Sequence, residues 1–307
     1  MRHGIAVVFM IVAAAAAGAG GSRQKPPDPP GVHAGRNAAA GPEAPPLWRR
    51  LEPGLDLGTF AAPRPSRTGD SLIRILRVDP GRFALRLLNA SAPGQGGLLT
   101  PREWARRHDL VAVINASMYQ TDYRTSVSLM RSRDHVNNPR LSKDRAVLAF
   151  DPLDDGLPPV QIIDRECQDF DLLKGRYATL IQSIRMIACD RRNVWTPQDR
   201  SWSTAAIGTD AEGRVLFIHV RSPYATHALI AMLLELPIDL RRAMYTEGGS
   251  EAQLYVRAAG EEHQFAGISE VIGEGDGTPR GRPIPNVVGV VRRPAARTSS
   301  QGGSPGH

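Results

Sequence analysis

Cysteine is almost absent from this 307-residue chain, which carries only Cys167 and Cys189. Two thiols cannot complete a four-ligand structural zinc site, and no His-x-x-x-His pattern lies near them to help. In an oxidising compartment such an even pair points to one disulfide, the alternative being two unlinked buried thiols. Lysine is nearly as scarce. Only Lys25, Lys143 and Lys174 occur among 38 basic residues, so 35 are arginines. Arginine suits two-pronged grips on phosphate or carboxylate, which fits anionic ligands, although an arginine-rich genome gives the same bias. No dense basic run interleaved with aromatics accompanies the arginines, so no nucleic acid is expected as a partner. The formal net charge of +7 shrinks to +4 over residues 48–293, where 33 basic residues meet 29 acidic ones.

Long hydrophobic runs are missing too, with one exception at the start. Met1-Arg2-His3-Gly4 is a short basic opening. Ile5 to Val12 and a run of alanines follow, ending in small residues around Ala17-Gly18-Ala19-Gly20. This reads as a removable signal peptide over residues 1–20. It is too short and too rich in Ala and Gly for a spanning helix, which needs about 20 strongly apolar residues; an uncleaved N-terminal anchor is the alternative. The expectation is an exported protein, periplasmic or extracellular, with no stable membrane insertion after cleavage. Residues 21–47 are rich in Pro, Gly and Ala and offer little to bury, so they read as a disordered leader. Residues 294–307 read as a disordered tail. What lies between, residues 48–293, is long enough for one large core.

That stretch shows no internal repeat and is dominated by strand patterns. Leu72–Val78 alternates apolar and polar residues, Asp79-Pro80-Gly81 turns, and Phe83–Leu88 returns, the signature of a β-hairpin. Thr100 followed by Pro101 opens a short helix that leads into a central strand at Leu110–Ile114. Further strands are expected at 146–150, 161–163, 205–208, 215–220, 242–245, 253–256 and 287–291. Those at 205–208 and 215–220 form a second hairpin across Asp210–Gly213. Thr226–Leu236 is the clearest helix, capped by Thr226 or Ser222 and stopped by Pro237. Hairpins with a few packing helices make the expected class α+β, a mixed β-sheet domain.

Three segments are unlike packing code. In the first, Asn115, Ala116, Ser117, Met118, Tyr119 and Asp122 follow an apolar strand, so polar groups gather at its C-terminal rim. Asn115 has the chemistry to bond a sugar hydroxyl or to cap local backbone. Asp122 suits a base, a metal ligand or a turn. In the second, Gln182 and Arg185 sit within an apolar neighbourhood, so Arg185 is either a paired buried cation or a clamp for an anion. In the third, Ala243-Met244-Tyr245-Thr246-Glu247-Gly248-Gly249-Ser250-Glu251-Ala252 joins two strands. Consecutive glycines after an acid let backbone approach a ligand and offer N–H donors, while a plain turn with surface glutamates is the simpler reading.

In the order of these elements the chain resembles the phosphodiester glycosidase domain family. Ile114–Tyr119 is similar to that family's Asn-Gly-Gly-Phe-Phe stretch, Ala205–Arg214 to its Ala-Ile-Gly hairpin and Thr246–Ser250 to its Asp-Gly-Gly-Gly-Ser loop. Ile284-Pro285-Asn286 is similar to its closing Pro-Asn strand. Glu247 replaces the family's Asp, Ala116 and Ser117 replace glycines, and Thr204 stands where an arginine is expected. The resemblance implies hydrolysis of a sugar 1-phosphodiester at the anomeric carbon. Glu247 then faces the oxocarbenium-like transition state and Arg185 stabilises the leaving phosphate. Asn115, Tyr119, Asp122, Gln182, Gly248, Gly249 and Ser250 line the substrate. Asp122 or Glu251 is the second carboxylate, a choice the sequence does not make. It names no metal or cofactor. The alternative function is a non-catalytic envelope protein that binds glycans or anionic polymers.

Overall fold

The computed structural model describes residues 47–268 and 281–294. The expected signal peptide, the leader up to residue 46 and the tail beyond residue 294 lie outside the described residues.

The chain opens with β1 (Leu47–Glu52) and β2 (Leu55–Ala61), an antiparallel pair closed by Pro53-Gly54, where Gly54 takes φ +85°. Then come β3 (Leu72–Val78), β4 (Phe83–Asn89), helix α1 (Pro101–Arg107) and β5 (Ala112–Asn115). Two short strands, β6 (Met130–Arg131) and β7 (Val136–Asn138), precede β8 (Ala146–Pro152), β9 (Val160–Asp164), the single-turn α2 (Phe170–Leu173) and β10 (Tyr177–Arg185). The remainder is β11 (Trp202–Thr209), β12 (Val215–Tyr224), α3 (Thr226–Glu235), β13 (Arg242–Gly248), a 3₁₀ turn at Gly249–Glu251, β14 (Gln253–Ala258), β15 (Glu261–Ala266) and β16 (Asn286–Arg292).

Two sheets result. The larger has 11 strands, along the path β1-β2-β3-β12-β11-β13-β10-β6-β7 with β8 and β9 branching from β10. The smaller runs β15-β14-β5-β16-β4. Every strand ladder among the described residues is antiparallel, and the helices are few and short, so the molecule is mostly β and α+β describes it loosely.

Period-2 alternation explains the layers. Val215 and Phe217 of β12 enter a core shared with Leu254 and Val256 of β14 and Val288 and Val290 of β16, so this core lies between the sheets. Leu216, Ile218 and Val220 point the other way, onto Leu229, Ile230, Met232 and Leu233 of α3. On the outer side of the small sheet, Val113, Tyr255 and Val287 pack against Trp104 and Ala105 of α1. Strands covered on both faces read as continuous apolar runs, and that is the pattern of Leu110–Ile114.

One sequence expectation is corrected here. Leu72–Val78 and Phe83–Leu88 do not pair as a hairpin: β3 lies between β2 and β12, whereas β4 pairs β16 in the other sheet. Leu76, Val78, Phe83 and Leu85 all enter the same inter-sheet core. The turn therefore folds the two strands face to face across that core instead of edge to edge. The second hairpin forms as expected, with the Asp210 carboxylate accepting from the Arg214 and Glu212 amides at 2.8 and 3.1 Å. Helix α1 has its full capping box between Thr100 and Glu103. Helix α3 stops before Pro237, but neither Thr226 nor Ser222 caps it. Ala225 holds the cap position without a side-chain bond, and the Ser222 hydroxyl instead accepts from the Ser71 amide at 2.7 Å.

Candidate functional site

At one rim of the paired sheets the chain crosses between layers twice. After β5 it leaves the small sheet for the large one, and after β13 it passes from the large sheet to β14 in the small one. These crossings carry the first and third of the unusual segments, and Asn115 joins them. Its side chain donates to the Glu251 carbonyl at 2.9 Å and accepts from the Gln253 amide at 2.7 Å. Both functions of this buried amide are spent on backbone, so Asn115 holds the Glu247–Glu251 turn in place.

Glu247 and Glu251 bracket that turn. The Gly248 amide donates to Glu247 Oε1 at 2.9 Å. Burial of the Glu247 carboxyl, reinforced by the negative charge of Glu251, pushes its pKa up to about 7 against that hydrogen bond. Glu251 is better compensated. Tyr119 donates to its Oε2 at 3.1 Å, and Arg282 Nη1 stands 3.3 Å from its Oε1. Burial and the two carboxylates together hold the Tyr119 phenol well above its usual range. Tyr245 is raised too, chiefly by burial and then by Glu247. Two carboxyl groups in unlike surroundings, one near neutrality and one tied into a phenol–arginine network, form the usual physical basis for dividing acid and base roles.

The glycines are required by packing as well as by the turn. A Cβ at Gly248 would fall 1.9 Å from the Tyr245 hydroxyl and 2.9 Å from the Trp202 ring. Gly249 adopts φ +62°, and Ser250 follows in the 3₁₀ turn. Trp202, Tyr245 and Met118 belong to the apolar cluster on the outer face of the large sheet, giving this rim an aromatic wall.

Other residues singled out from the sequence are placed elsewhere or otherwise engaged. Arg185 directs Nη1 to both carboxylate oxygens of the buried Asp164, at 2.8 and 3.0 Å. With Trp195, Asn193 and the Cys167–Cys189 disulfide it lines a cavity of about 550 Å³ that Glu247 does not line. Gln182 is fully buried and spent on backbone: its amide donates to the Ser142 and Asp144 carbonyls and its oxygen accepts from the Leu129 and Ser142 amides. Asp122 is exposed and closes its own turn on the Arg124 and Thr125 amides at 3.0 and 2.9 Å. The structure therefore brings Asn115, Tyr119, Glu247, Gly248, Gly249, Ser250 and Glu251 together at one rim. Arg282 and Trp202 join them without having been singled out, and Tyr245 joins from within the third segment, though no role was given to it. Tyr245 stands two residues before Glu247 on a strand, which is a usable signal; nothing in the pattern around Arg282 marks it. Among the described residues one group of three metal-ligating side chains converges, Asp164, Cys167 and Cys189, and both its sulfurs are committed to the disulfide.

The sequence profile of the phosphodiester glycosidase family matches residues 108–291. No curated protein sequence matches the chain. Among solved structures it is similar to the catalytic domain of zebrafish N-acetylglucosamine-1-phosphodiester alpha-N-acetylglucosaminidase, described as auto-inhibited by its pro-peptide. Identity is 14%, the TM-score is 0.59, and the match covers 80% of this chain and 86% of that one. A hypothetical protein from Synechocystis is similar at 13% identity and a TM-score of 0.53, over 82% of this chain and 64% of that one. Such low identities speak for the fold alone. The profile match spans more than half of the chain and takes in the whole rim from Tyr119 to Arg282, and on that ground the chain belongs to the phosphodiester glycosidase family.

Proposed function

We propose that this protein is an exported hydrolase that cleaves sugar 1-phosphodiesters at the anomeric carbon. The observation that carries the reading is the pair Glu247 and Glu251, held on one turn beside Tyr119, with the Glu247 carboxyl poised at about 7. Departure of a phosphomonoester from the anomeric carbon leaves positive charge on the sugar, which a nearby carboxylate stabilises. The leaving phosphate is itself a weak base, so it needs a cation more than a strong acid. Arg282, half-exposed and 3.3 Å from Glu251, takes the role expected of Arg185, which the fully buried Asp164 holds at 2.8 Å. Glu247, exchanging its proton near neutral pH, activates the incoming water. Gly249 and Ser250, half-buried in the 3₁₀ turn, approach the sugar. The signal-like residues 1–20 and the disulfide support action outside the cytoplasm.

Purified full-length protein, incubated with a panel of sugar 1-phosphodiesters, is expected to release free sugar and a phosphomonoester. Glu247→Gln and Glu251→Gln should each lower kcat by about 10²-fold or more, the usual contribution of a positioned acid or base. Binding of these compounds without turnover by the wild type would favour a glycan-binding role instead.

A further inference from the structure

The rim holds a group whose placement the two-carboxylate account does not use. Tyr119 belongs to a loop that folds back on itself, bridging Ser126, with Gln120 N donating to the Thr125 carbonyl at 2.7 Å and Val127 N to the Met118 carbonyl at 3.1 Å. Its ring lies 5.7 Å from that of Tyr123, and its hydroxyl is fixed on Glu251 Oε2 at 3.1 Å. The residue is only half-buried, and its hydroxyl proton already points at a base. The geometry is that of a nucleophile beside its base: attacking oxygen, adjacent carboxylate, and a third group, Arg282, orienting that carboxylate at 3.3 Å; burial and the carboxylates keep the resting phenol protonated, so its proton leaves only as the new bond forms.

We infer that Tyr119 is the nucleophile of the reaction, with the Glu251 carboxylate as the base that activates it. The inference rests on the function proposed above. In the first step Tyr119 Oη attacks the anomeric carbon. The bond from that carbon to the phosphate oxygen breaks, its electron pair leaves with the phosphomonoester, and the phenol proton passes to Glu251. In the second step water attacks the anomeric carbon of the glycosyl-tyrosine and gives a proton to the Glu247 carboxylate. Tyr119 Oη departs and recovers its proton from Glu251, and Glu247 returns its proton to solvent. Two displacements give net retention of anomeric configuration. Electrostatics favour a phenol over either carboxylate here. The substrate is a phosphodiester anion, and a neutral attacking group meets no repulsion from it. Glu247, partly protonated at neutral pH, is better suited to moving protons than to forming the bond.

The test uses full-length protein and a 2-deoxy-2-fluoro sugar 1-phosphodiester, whose fluorine slows hydrolysis of a glycosyl-enzyme, alongside the unfluorinated substrate. The expected results are a stoichiometric mass increase mapping to the peptide that holds Tyr119, product with retained configuration by NMR, and a kcat at least about 10³-fold lower in Tyr119→Phe. The phenylalanine variant keeps the ring, and its melting temperature, measured alongside, checks the fold. The labelling result stands independently of that variant. A label on Glu247 or Glu251, an inverted product, or a Tyr119→Phe enzyme within tenfold of wild type would overturn this assignment and leave the proposed function standing. Absence of wild-type turnover with any sugar 1-phosphodiester would overturn both.

Discussion

Glu247 is the carboxyl group of the rim whose pKa is raised, and that shift should be measurable as stability. Its carboxyl is raised from 4.5 to about 7, so the folded state binds the proton more tightly than the unfolded chain does. The stabilising contribution of that bound proton is fully present below about pH 4.5 and is lost as pH rises through about 7. The ionised carboxylate in its half-buried position then costs on the order of 1–3 kcal/mol. Glu247→Gln removes the charge and keeps the shape. The melting temperature of this variant relative to wild type should therefore climb by several degrees between pH 4 and pH 8, at about 2–4 °C per kcal/mol for a chain of this size. An unchanged difference at the two pH values would show that the carboxyl is not buried as described. Gly248 is the second residue with a definite constraint. Gly248→Ala should destabilise by about 1–3 kcal/mol, because its methyl group would collide with the Tyr245 hydroxyl. Adding Tyr245→Phe should recover part of that loss; simple additivity in denaturant melts would rule out the contact as the cause.

The elements were legible in the sequence to the extent that their periodicity was local. Strands β11 and β12, their Asp210 turn and the capped α1 follow from residues close in sequence, and they appear where those residues place them. The pairing of β3 and β4 was not legible, because alternation fixes which residues face a core and says nothing about which neighbour lies alongside. The same limit hid the partners of Arg185. An arginine among apolar residues signals a buried cation, but only the fold brings Asp164, at the end of β9, beside it. The residues at the rim were read from the strand-end Asn115 and from the acid before two glycines. Arg282 was not, since its only pointer is spatial. The disulfide belongs to this scale as well. Cys167 follows β9 and Cys189 follows β10, two strands that flank β8, and the bridge closes a sequence separation of 22. Reduction, or replacement of both cysteines by serine, should lower stability by about 3 kcal/mol. Melting in the presence and absence of reductant checks this, and equal melting temperatures would refute it.

For the molecule as a whole, the two sheets serve as a support whose strand ends meet at one rim, and the candidate site lies on two crossings rather than on the layers. Both crossings are anchored to the support. Asn115 clamps the acidic turn, and Asn286, at the start of β16, donates to the Arg124 carbonyl in the Tyr119 loop at 3.1 Å. In the proposed reaction Glu247, half-buried beside Glu251, moves the proton in hydrolysis of a sugar 1-phosphodiester. The most direct measurement is the pH dependence of kcat/KM for such a substrate in wild type and in Glu247→Gln. The account predicts a wild-type profile with a break near pH 7 that disappears in the variant, together with at least a hundredfold loss of rate at neutral pH. A variant that retained the wild-type rate and the same break would contradict it.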